Sequence, residues 1–229
     1  MLWQSPPPML QLDRQHLHLW RIDLSGGADR DYWPCLSRDE RERAERFRFD
    51  RDRTRFVQSR GSLRYLLGRY LDKAPVDITF AYGPYGKPHC PQAEHLSFNL
   101  SHSDDQALCA VTHSRLVGVD VEQYRDLTYF DSLSRRCLAE SELATLAQLP
   151  DHQRQPLFLQ YWTCKEAYLK AIGCGLTRSL TSVHVQLHPP RLLAGVDSGD
   201  WRLHLTDLEG YAAAVVVDGD VLITGYLWT

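Results

Sequence analysis

The stretch that most constrains the fold of this chain is residues 116–122, Leu-Val-Gly-Val-Asp-Val-Glu. Valine at every second position favours a β-strand. Side chains alternate between the two faces of a strand, so Asp120 and Glu122 lie on one face, roughly 7 Å apart. Two carboxylates on a mostly apolar strand repel each other and resist burial. The pattern indicates either a solvent-facing side or a site where a divalent cation, which takes oxygen ligands, neutralises both charges.

The composition is that of a globular protein without a membrane span. Of the 229 residues, 43% are hydrophobic and 24% are charged. No apolar run approaches the ~20 residues of a transmembrane helix, and the N-terminus has no signal-peptide pattern. Six cysteines show no C-x-x-C pair and no zinc spacing, which predicts reduced thiols in a cytoplasmic protein. The net charge of −3 argues against a nucleic-acid partner.

A basic segment covers residues 38–64, with ten arginines against six acids, a local balance of +4. Ser37 followed by Glu40 predicts a helix start with a capping box. Acids interleaved with arginines are typical of a solvated helical face with ion pairs. An excess of arginine also suits an anion site, because the guanidinium group binds phosphate bidentately. Both interpretations stay open for this segment.

A helix is predicted over residues 155–172 from apolar residues at helical spacing. Lys165 occupies a position in this stripe where an apolar residue belongs. Glu166 and Lys170, four residues apart, share a neighbouring face. Charged groups facing a core need partners, and the candidates are the acidic strand, a metal ion or a bound polyanion. Gly173 ends the helix.

Both halves of the chain run from helices to short strands. We therefore expect an α+β fold of two similar α/β-type subdomains in a pseudo-twofold arrangement, each a small, mainly antiparallel sheet packed with helices. The boundary is expected near residue 115, giving subdomains 1–115 and 116–229. A further helix is predicted over residues 134–149. The chain is expected to end in an antiparallel meander of strands at 177–187, 201–207, 211–217 and 221–228.

Four motifs in order resemble the 4′-phosphopantetheinyl transferase superfamily. They are Gly-Lys-Pro at 86–88, Phe-Asn-Leu-Ser-His-Ser at 98–103, Gly-Val-Asp-Val-Glu at 118–122, and Trp-Thr-Cys-Lys-Glu-Ala at 162–167 continuing to Lys170. The chain length and the two upstream motifs are similar to the larger, pseudo-dimeric Sfp-like group. The small holo-acyl-carrier-protein synthase type has about half this length.

The resemblance implies transfer of the phosphopantetheine arm of coenzyme A to a serine of an apo acyl or peptidyl carrier protein, by a monomer, releasing adenosine 3′,5′-bisphosphate. Asp120, Glu122 and Glu166 would hold Mg²⁺, or Mn²⁺, against the pyrophosphate. Asp120, Glu166 and Lys170 would be the catalytic residues, with Glu166 also a hypothetical base for the incoming serine. The residues expected to contact coenzyme A are Arg43, Arg55, Gly86, Lys87, Pro88, Ser101, His102, Lys165 and Lys170.

Two other functions remain compatible with parts of the pattern. A metal-dependent nuclease or phosphodiesterase also uses Asp-x-Glu with a nearby lysine, but it needs a basic groove with stacking aromatic residues. A non-catalytic module that binds coenzyme A or carrier protein would not need all three carboxylates and both lysines of the helix motif. Phosphopantetheine transfer to an apo carrier protein separates the three hypotheses.

Overall fold

Two sheets lie back to back at the centre of the molecule, and a long helix covers the outer face of each. The computed structural model describes residues 2–26 and 30–228. The helices are α1 (Arg38–Glu45), α2 (Asp50–Leu71), α3 (Phe130–Cys137), α4 (Glu140–Ala147) and α5 (Asp151–Ile172). The strands are β1 (Trp3–Gln4), β2 (His16–Asp23), β3 (Ala81–Tyr82), β4 (Pro88–His89), β5 (Leu96–Ser103), β6 (Gln106–His113), β7 (Val117–Gln123), β8 (His184–Leu187), β9 (Pro190–Ala194), β10 (Trp201–Leu205), β11 (Tyr211–Asp218) and β12 (Leu222–Trp228).

The larger sheet has the strand order β1-β12-β2-β6-β5, and the smaller has the order β10-β11-β7. All pairs of the smaller sheet are antiparallel. The larger sheet joins two parallel pairs, β1 with β12 and β12 with β2, to two antiparallel pairs, β2 with β6 and β6 with β5. Strands β3 and β4 and strands β8 and β9 form two small separate ribbons. The expected α+β class, with small sheets packed against helices, is confirmed.

The predicted terminal meander is wrong in its first and last strands. Strand β8 pairs with β9 in a separate ribbon, so only β10 and β11 pair as predicted. Strand β12 is not part of the smaller sheet. It pairs in parallel with β2, from Leu222 opposite His16 to Trp228 opposite Ile22. The physical reason is that β11 is already paired on both edges, with β10 and with β7, so it offers no edge to a following strand. The end of the chain therefore lies in the sheet of the N-terminal half, and the division at residue 115 stays a prediction.

Other element boundaries also differ from the expectation. The predicted helix at 134–149 is two short helices, α3 and α4, separated at Leu138 and Ala139. The strand expected at 177–187 is limited to β8, because 3₁₀ turns occupy residues 175–177 and 180–182. Helix α5 begins four residues before the predicted start. No helix within the described ranges is long and apolar enough to cross a membrane.

Three apolar layers hold these elements together. Leu63, Leu66 and Leu67 of α2 pack against the outer face of the larger sheet. The valines of β7 meet β2, β6 and β11 between the two sheets. Residues of α5, among them Tyr168 and Leu169, cover the outer face of the smaller sheet. Each sheet with its helix thus repeats the same layer order, which matches the expected pseudo-twofold arrangement.

Some arginines of the basic segment, residues 38–64, form ion pairs inside the protein. The backbone N–H of Ser37 donates to Glu40 Oε2 at 2.9 Å, as the capping box predicts. Glu40 is buried and also accepts from Arg60 at 2.5 Å and from Arg64 at 2.7 Å. These contacts tie α1 to α2 and occupy two of the ten arginines. The ion-pair interpretation is therefore right for that part of the segment.

Candidate active site

Strand β7 is an edge strand whose free edge is covered by side chains of the other sheet. Its pairing with β11 uses one edge only. On the other edge, the N–H of Val119 donates to Asn99 Oδ1 at 2.8 Å, and the N–H of Gln123 donates to Ser103 Oγ at 3.1 Å. Alternate residues of β5 thus replace a backbone ladder, because buried backbone groups need partners. This contact brings the 98–103 motif next to the acidic strand.

Helix α5 lies unusually close to β7 because of one glycine. A Cβ at Gly118 would lie 2.0 Å from Ala167 O and 2.4 Å from Ala171 N, so no larger residue fits there without moving the helix. Gly118, Asp120 and Glu122 share one face of the strand. The close approach therefore sets these carboxylates against the helix face that carries Glu166 and Lys170.

A three-membered polar contact forms where β5, β7 and α5 meet. Asp120 Oδ1 accepts from Ser101 Oγ at 2.8 Å and from Lys170 Nζ at 2.5 Å. Lys170 Nζ also lies 2.8 Å from Ser101 Oγ. Asp120 is only 4% exposed, and its second oxygen, Oδ2, has no hydrogen-bond partner among the described residues. The predicted residues Ser101, Asp120 and Lys170 are thus in direct contact.

The two glutamates of the predicted site are held more loosely. Glu122 Oε2 accepts from Ser103 Oγ at 2.9 Å. Glu166 Oε1 is buried, and the described part of the chain offers it no partner. Burial, and then the charge of Asp120, raise the pKa of both Glu122 and Glu166 above its ordinary value. The two glutamates are therefore costly to keep charged in the folded protein.

The carboxylates do not enclose a metal ion by themselves. Across residues 2–26 and 30–228, no three His, Cys, Asp or Glu side chains are gathered closely enough to hold one. Two buried oxygens without partners, Asp120 Oδ2 and Glu166 Oε1, nevertheless fit a hard cation. Mg²⁺ is commonly held by one or two carboxylates and completed by water and substrate phosphates.

A cleft of about 340 Å³ opens beside this contact, with His102 and Glu122 in its lining. The His102 side chain is exposed at the cleft. The protein atoms around its ring, and then the charges of Lys170, Arg43 and Arg55, lower the pKa of His102. These three cations favour the neutral form of the imidazole, while the cleft lining also holds the carboxylates of Asp52, Asp104 and Glu122.

The two predicted arginines differ in what they already bind. Arg55 donates to Asp104 at 2.6 Å and to Asp105 at 2.5 Å, so two carboxylates neutralise its guanidinium group. Arg43 is exposed, with its guanidinium carbon 5.1 Å from the ring centre of Phe56, and makes no ion pair with the described acids. Arg43 is therefore free for an external anion, whereas Arg55 chiefly holds the β5–β6 turn.

The structure contradicts the expectation that Lys165 contacts a ligand. Its side chain is fully buried, with an ion pair to Glu142 at 2.5 Å. Its ammonium also donates to Cys137 O and Leu180 O, each at 3.0 Å. Glu142 was absent from the partners considered for this lysine. Because every contact of the Lys165 ammonium lies inside the protein, this residue belongs to the core.

The Gly-Lys-Pro turn borders a second, mostly apolar cavity of about 480 Å³. Lys87 and Pro88 line it together with Phe98 and with Ile172 of α5. Gly86 has a φ of +83°, which the tight turn between β3 and β4 requires. The Lys87 ammonium, however, donates to Val117 O and Ala171 O and not into the cavity. The turn therefore borders the cavity through the stem of Lys87 and through Pro88, and contact of Lys87 with coenzyme A stays a prediction.

Three functional side chains were missed by the sequence reading. Asn99 and Ser103 cover the edge of β7, and Glu142 neutralises Lys165. For the first two a signal existed, because Asn99, Ser101 and Ser103 stand at every second position of a strand and so share a face. For Glu142 the only signal was an acid in the first turn of a helix, which normally indicates capping.

Comparisons with known proteins identify the family of this chain. The model of the 4′-phosphopantetheinyl transferase superfamily matches residues 116–216, and that of the 4′-phosphopantetheinyl transferase N-terminal region matches residues 30–114. The 4′-phosphopantetheinyl transferase HetI of Nostoc sp. is 41% identical over 223 residues, which are 95% of this chain and 94% of HetI. The 4′-phosphopantetheinyl transferase Sfp of Bacillus subtilis is 28% identical over 165 residues, 72% of each chain.

Among solved structures, the holo-[acyl-carrier-protein] synthase of Thermotoga maritima aligns with 45% of this chain and 62% of its own, at 27% identity and a TM-score of 0.39. That overlap is too partial to carry an argument. The match to HetI extends over nearly the whole of both proteins. The chain therefore belongs to the 4′-phosphopantetheinyl transferase superfamily, in its Sfp-like group.

Proposed function

We propose that this chain transfers the 4′-phosphopantetheine arm of coenzyme A to a serine of a carrier protein by means of the polar contact at the junction of β5, β7 and α5. The activity as a 4′-phosphopantetheinyl transferase follows from its family. The assignment of the site rests on one observation: Asp120 and Glu166 each keep a buried carboxylate oxygen without a partner among the described residues. Asp120 is in direct contact with the Lys170 ammonium, and the charges of Asp120 and Lys170 both act on Glu166. Such a set suits a diphosphate held through a cation.

Charge neutralisation is the main contribution that the chain makes to this reaction. Transfer of a phosphoryl-type group needs positioning and electrostatic stabilisation more than covalent help from the protein. Asp120, Glu122 and Glu166 would hold Mg²⁺, which when bound offsets negative charge on the diphosphate oxygens. Lys170 donates from the other side of Asp120, where Ser101 fixes its ammonium at 2.8 Å.

The two cavities beside the site suit different parts of the nucleotide end of coenzyme A. Arg43 suits the 3′-phosphate, because its guanidinium group is exposed and makes no ion pair with the described acids. The lowered pKa of His102 favours a neutral imidazole, which can donate one N–H to the same phosphate. The apolar cavity beside Gly86 and Pro88 suits the adenine ring. The nucleophile comes from the carrier protein, so the chain itself needs no reactive serine.

Glu166 has two candidate roles, as a metal ligand and as a base for the incoming serine. Burial raises its pKa, which makes the carboxylate a better proton acceptor near neutral pH. Binding of a cation would lower that pKa again, so the metal role and the base role compete. We assign the metal role to Glu166 and expect it to act on the serine only through water.

The test is incubation with coenzyme A, Mg²⁺ and a panel of apo carrier proteins, followed by mass spectrometry. A gain of one phosphopantetheine mass on a carrier is the expected result, and it should vanish with a chelator. Glu166→Gln and Asp120→Asn should each lower kcat by about 100-fold or more, as removal of one electrostatic contact does in other enzymes. Glu45→Gln, a change at an exposed glutamate, is the matched control. Unchanged turnover in the first two variants would refute the site.

We infer further that the enzyme acts as a monomer in the cytoplasm. All six cysteines are unpaired, as expected in a reducing compartment. Both halves of the site, from β5 and from β7 with α5, come from a single chain. Light scattering on the purified protein tests the oligomeric state.

A further inference from the structure

The ammonium of Lys87 contacts the two elements that carry the site, while its stem lines the neighbouring apolar cavity. Its ammonium donates to Val117 O on β7 at 2.9 Å and to Ala171 O in the last turn of α5 at 2.8 Å. Val117 lies three residues before Asp120, and Ala171 directly follows Lys170. The side chain therefore crosses from the β3–β4 turn of the N-terminal half to the seam between β7 and α5.

Both acceptors are groups that would otherwise lack a partner. Val117 is on the free edge of β7, where Asn99 and Ser103 cover the neighbouring amides. Ala171 is in the last turn of α5, where the helix supplies no N–H donor for its carbonyl group. A cation at a helix C-terminus is also favoured by the helix dipole. One ammonium thus supplies a donor both to a carbonyl on the free edge of β7 and to a carbonyl at the C-terminus of α5.

The methylene groups of Lys87 pack closely against Gly173, as its ammonium does against the two carbonyl groups. A Cβ at Gly173 would lie 3.1 Å from Lys87 Cδ, and Gly173 has a φ of +68°, which favours glycine. The helix therefore ends in a residue that leaves room for this side chain. Burial lowers the pKa of Lys87 to about 8. A neutral amine keeps two N–H donors, which equals the number of carbonyls that it meets, so both contacts survive deprotonation.

We propose that Lys87 is a positioning residue of the transfer reaction: its ammonium fixes the distance between β7 and α5, and so the contact of Asp120 with Lys170, without touching coenzyme A. The proposal rests on the proposed function for its effect on turnover, but its structural part concerns the ligand-free protein. Misplacement of a reacting group by about 1 Å can cost about 100-fold in rate. A less rigid contact between β7 and α5 should therefore lower kcat more than it weakens the binding of coenzyme A.

The experiment compares Lys87→Met, which keeps the stem and removes the donors, with Lys87→Arg, which keeps donors. Lys73→Met, at an exposed lysine, is the matched control. In the ligand-free protein, hydrogen exchange at residues 117–123 and 169–174 should rise in Lys87→Met and stay near wild type in the other two. In assays well below the melting temperature, kcat should fall about tenfold or more in Lys87→Met and recover at least partly in Lys87→Arg. The calorimetric Kd for coenzyme A should change less than threefold.

A weakening of coenzyme A binding by more than tenfold in Lys87→Met, with exchange unchanged, would overturn the proposal and make Lys87 a ligand contact. Unchanged exchange with unchanged kcat would also overturn it. Wild-type protein that modifies no carrier would refute the proposed function instead. The exchange measurement on the ligand-free protein still decides the structural part in that case.

Discussion

Replacement of Lys165 by methionine is the sharpest test of how this structure distributes its positive charges. Lys165 lies one residue before Glu166 in the helix motif, yet its ammonium is held by Glu142, Cys137 O and Leu180 O. Methionine has a similar length and no donor. Lys165→Met therefore leaves a buried carboxylate without its cation and two carbonyls without a donor.

The size of the effect follows from what remains around Glu142. Removal of one partner from a buried ion pair typically costs about 3–5 kcal/mol in the free energy of unfolding. Glu142 keeps two backbone donors, from Ala139 at 2.7 Å and from Val185 at 2.8 Å, so we expect the lower end, about 3 kcal/mol. Lys165 likewise keeps two carbonyls in Glu142→Gln, for which about 2 kcal/mol is expected.

The double variant separates the ion pair from the rest of the environment. Lys165→Met with Glu142→Gln leaves no unpaired charge, so its loss should be smaller than the sum of the two single losses by about 1–3 kcal/mol. Urea unfolding followed by tryptophan fluorescence at low temperature measures all three values. Since total stabilities are about 5–15 kcal/mol, each variant should remain folded in the absence of urea.

Binding of coenzyme A then decides between a core lysine and a ligand contact. If Lys165 is internal, the Kd of folded Lys165→Met stays within about threefold of wild type. A hydrogen bond to a charged group is worth about 1.5–3 kcal/mol, so loss of a phosphate contact would weaken binding by about ten- to a hundredfold. Weakening of that size, with no coupling to Glu142 in the unfolding cycle, would refute the assignment of Lys165 to the core.

Three further predictions concern the site itself. Gly118→Ala should lower the free energy of unfolding by about 3 kcal/mol or more in urea titrations, because its Cβ would overlap Ala167 O. Arg43→Gln should weaken coenzyme A by about tenfold in calorimetry and leave dephospho-coenzyme A unaffected; equal weakening of both would place Arg43 away from the 3′-phosphate. Glu166→Gln should raise the melting temperature of the metal-free protein at neutral pH. A carboxyl whose folded pKa is raised loses stability as the pH rises from its unfolded pKa through its folded pKa, so this gain should disappear in acid.

Local patterns in the sequence were sufficient to find the strand and the helix of the site. Alternating valines predicted β7, and helical spacing predicted most of α5. Both patterns depend only on residues near one another in the chain, so they can be recognised without knowledge of the tertiary structure. The partner of β12 could not be found in this way. A turn between two strands usually indicates a hairpin, and only the strand order shows that both edges of β11 are taken.

The partners of the lysines were hidden for a related reason. Lys165 meets a glutamate 23 residues earlier in the chain, and Lys87 meets two backbone carbonyls that no side-chain pattern reveals. The sequence predicted correctly that a charge in the core stripe of α5 needs partners. It did not identify Glu142, because that contact depends on how α4 packs against α5.

The same residues of β5 serve the junction between the halves and the chemistry of the site. Asn99 and Ser103 cover the edge of β7, while Ser101, between them on the same face, contacts Asp120 and Lys170. Side chains hold the two strands together where a backbone ladder would have brought them about 4.8 Å apart. Because polar side chains of both strands meet at this seam, the carboxylates of one half face the hydroxyls of the other. A substitution on this face of β5 therefore changes the separation of the halves as well as the site, and its effect on turnover is interpretable only beside a stability measurement on the same variant.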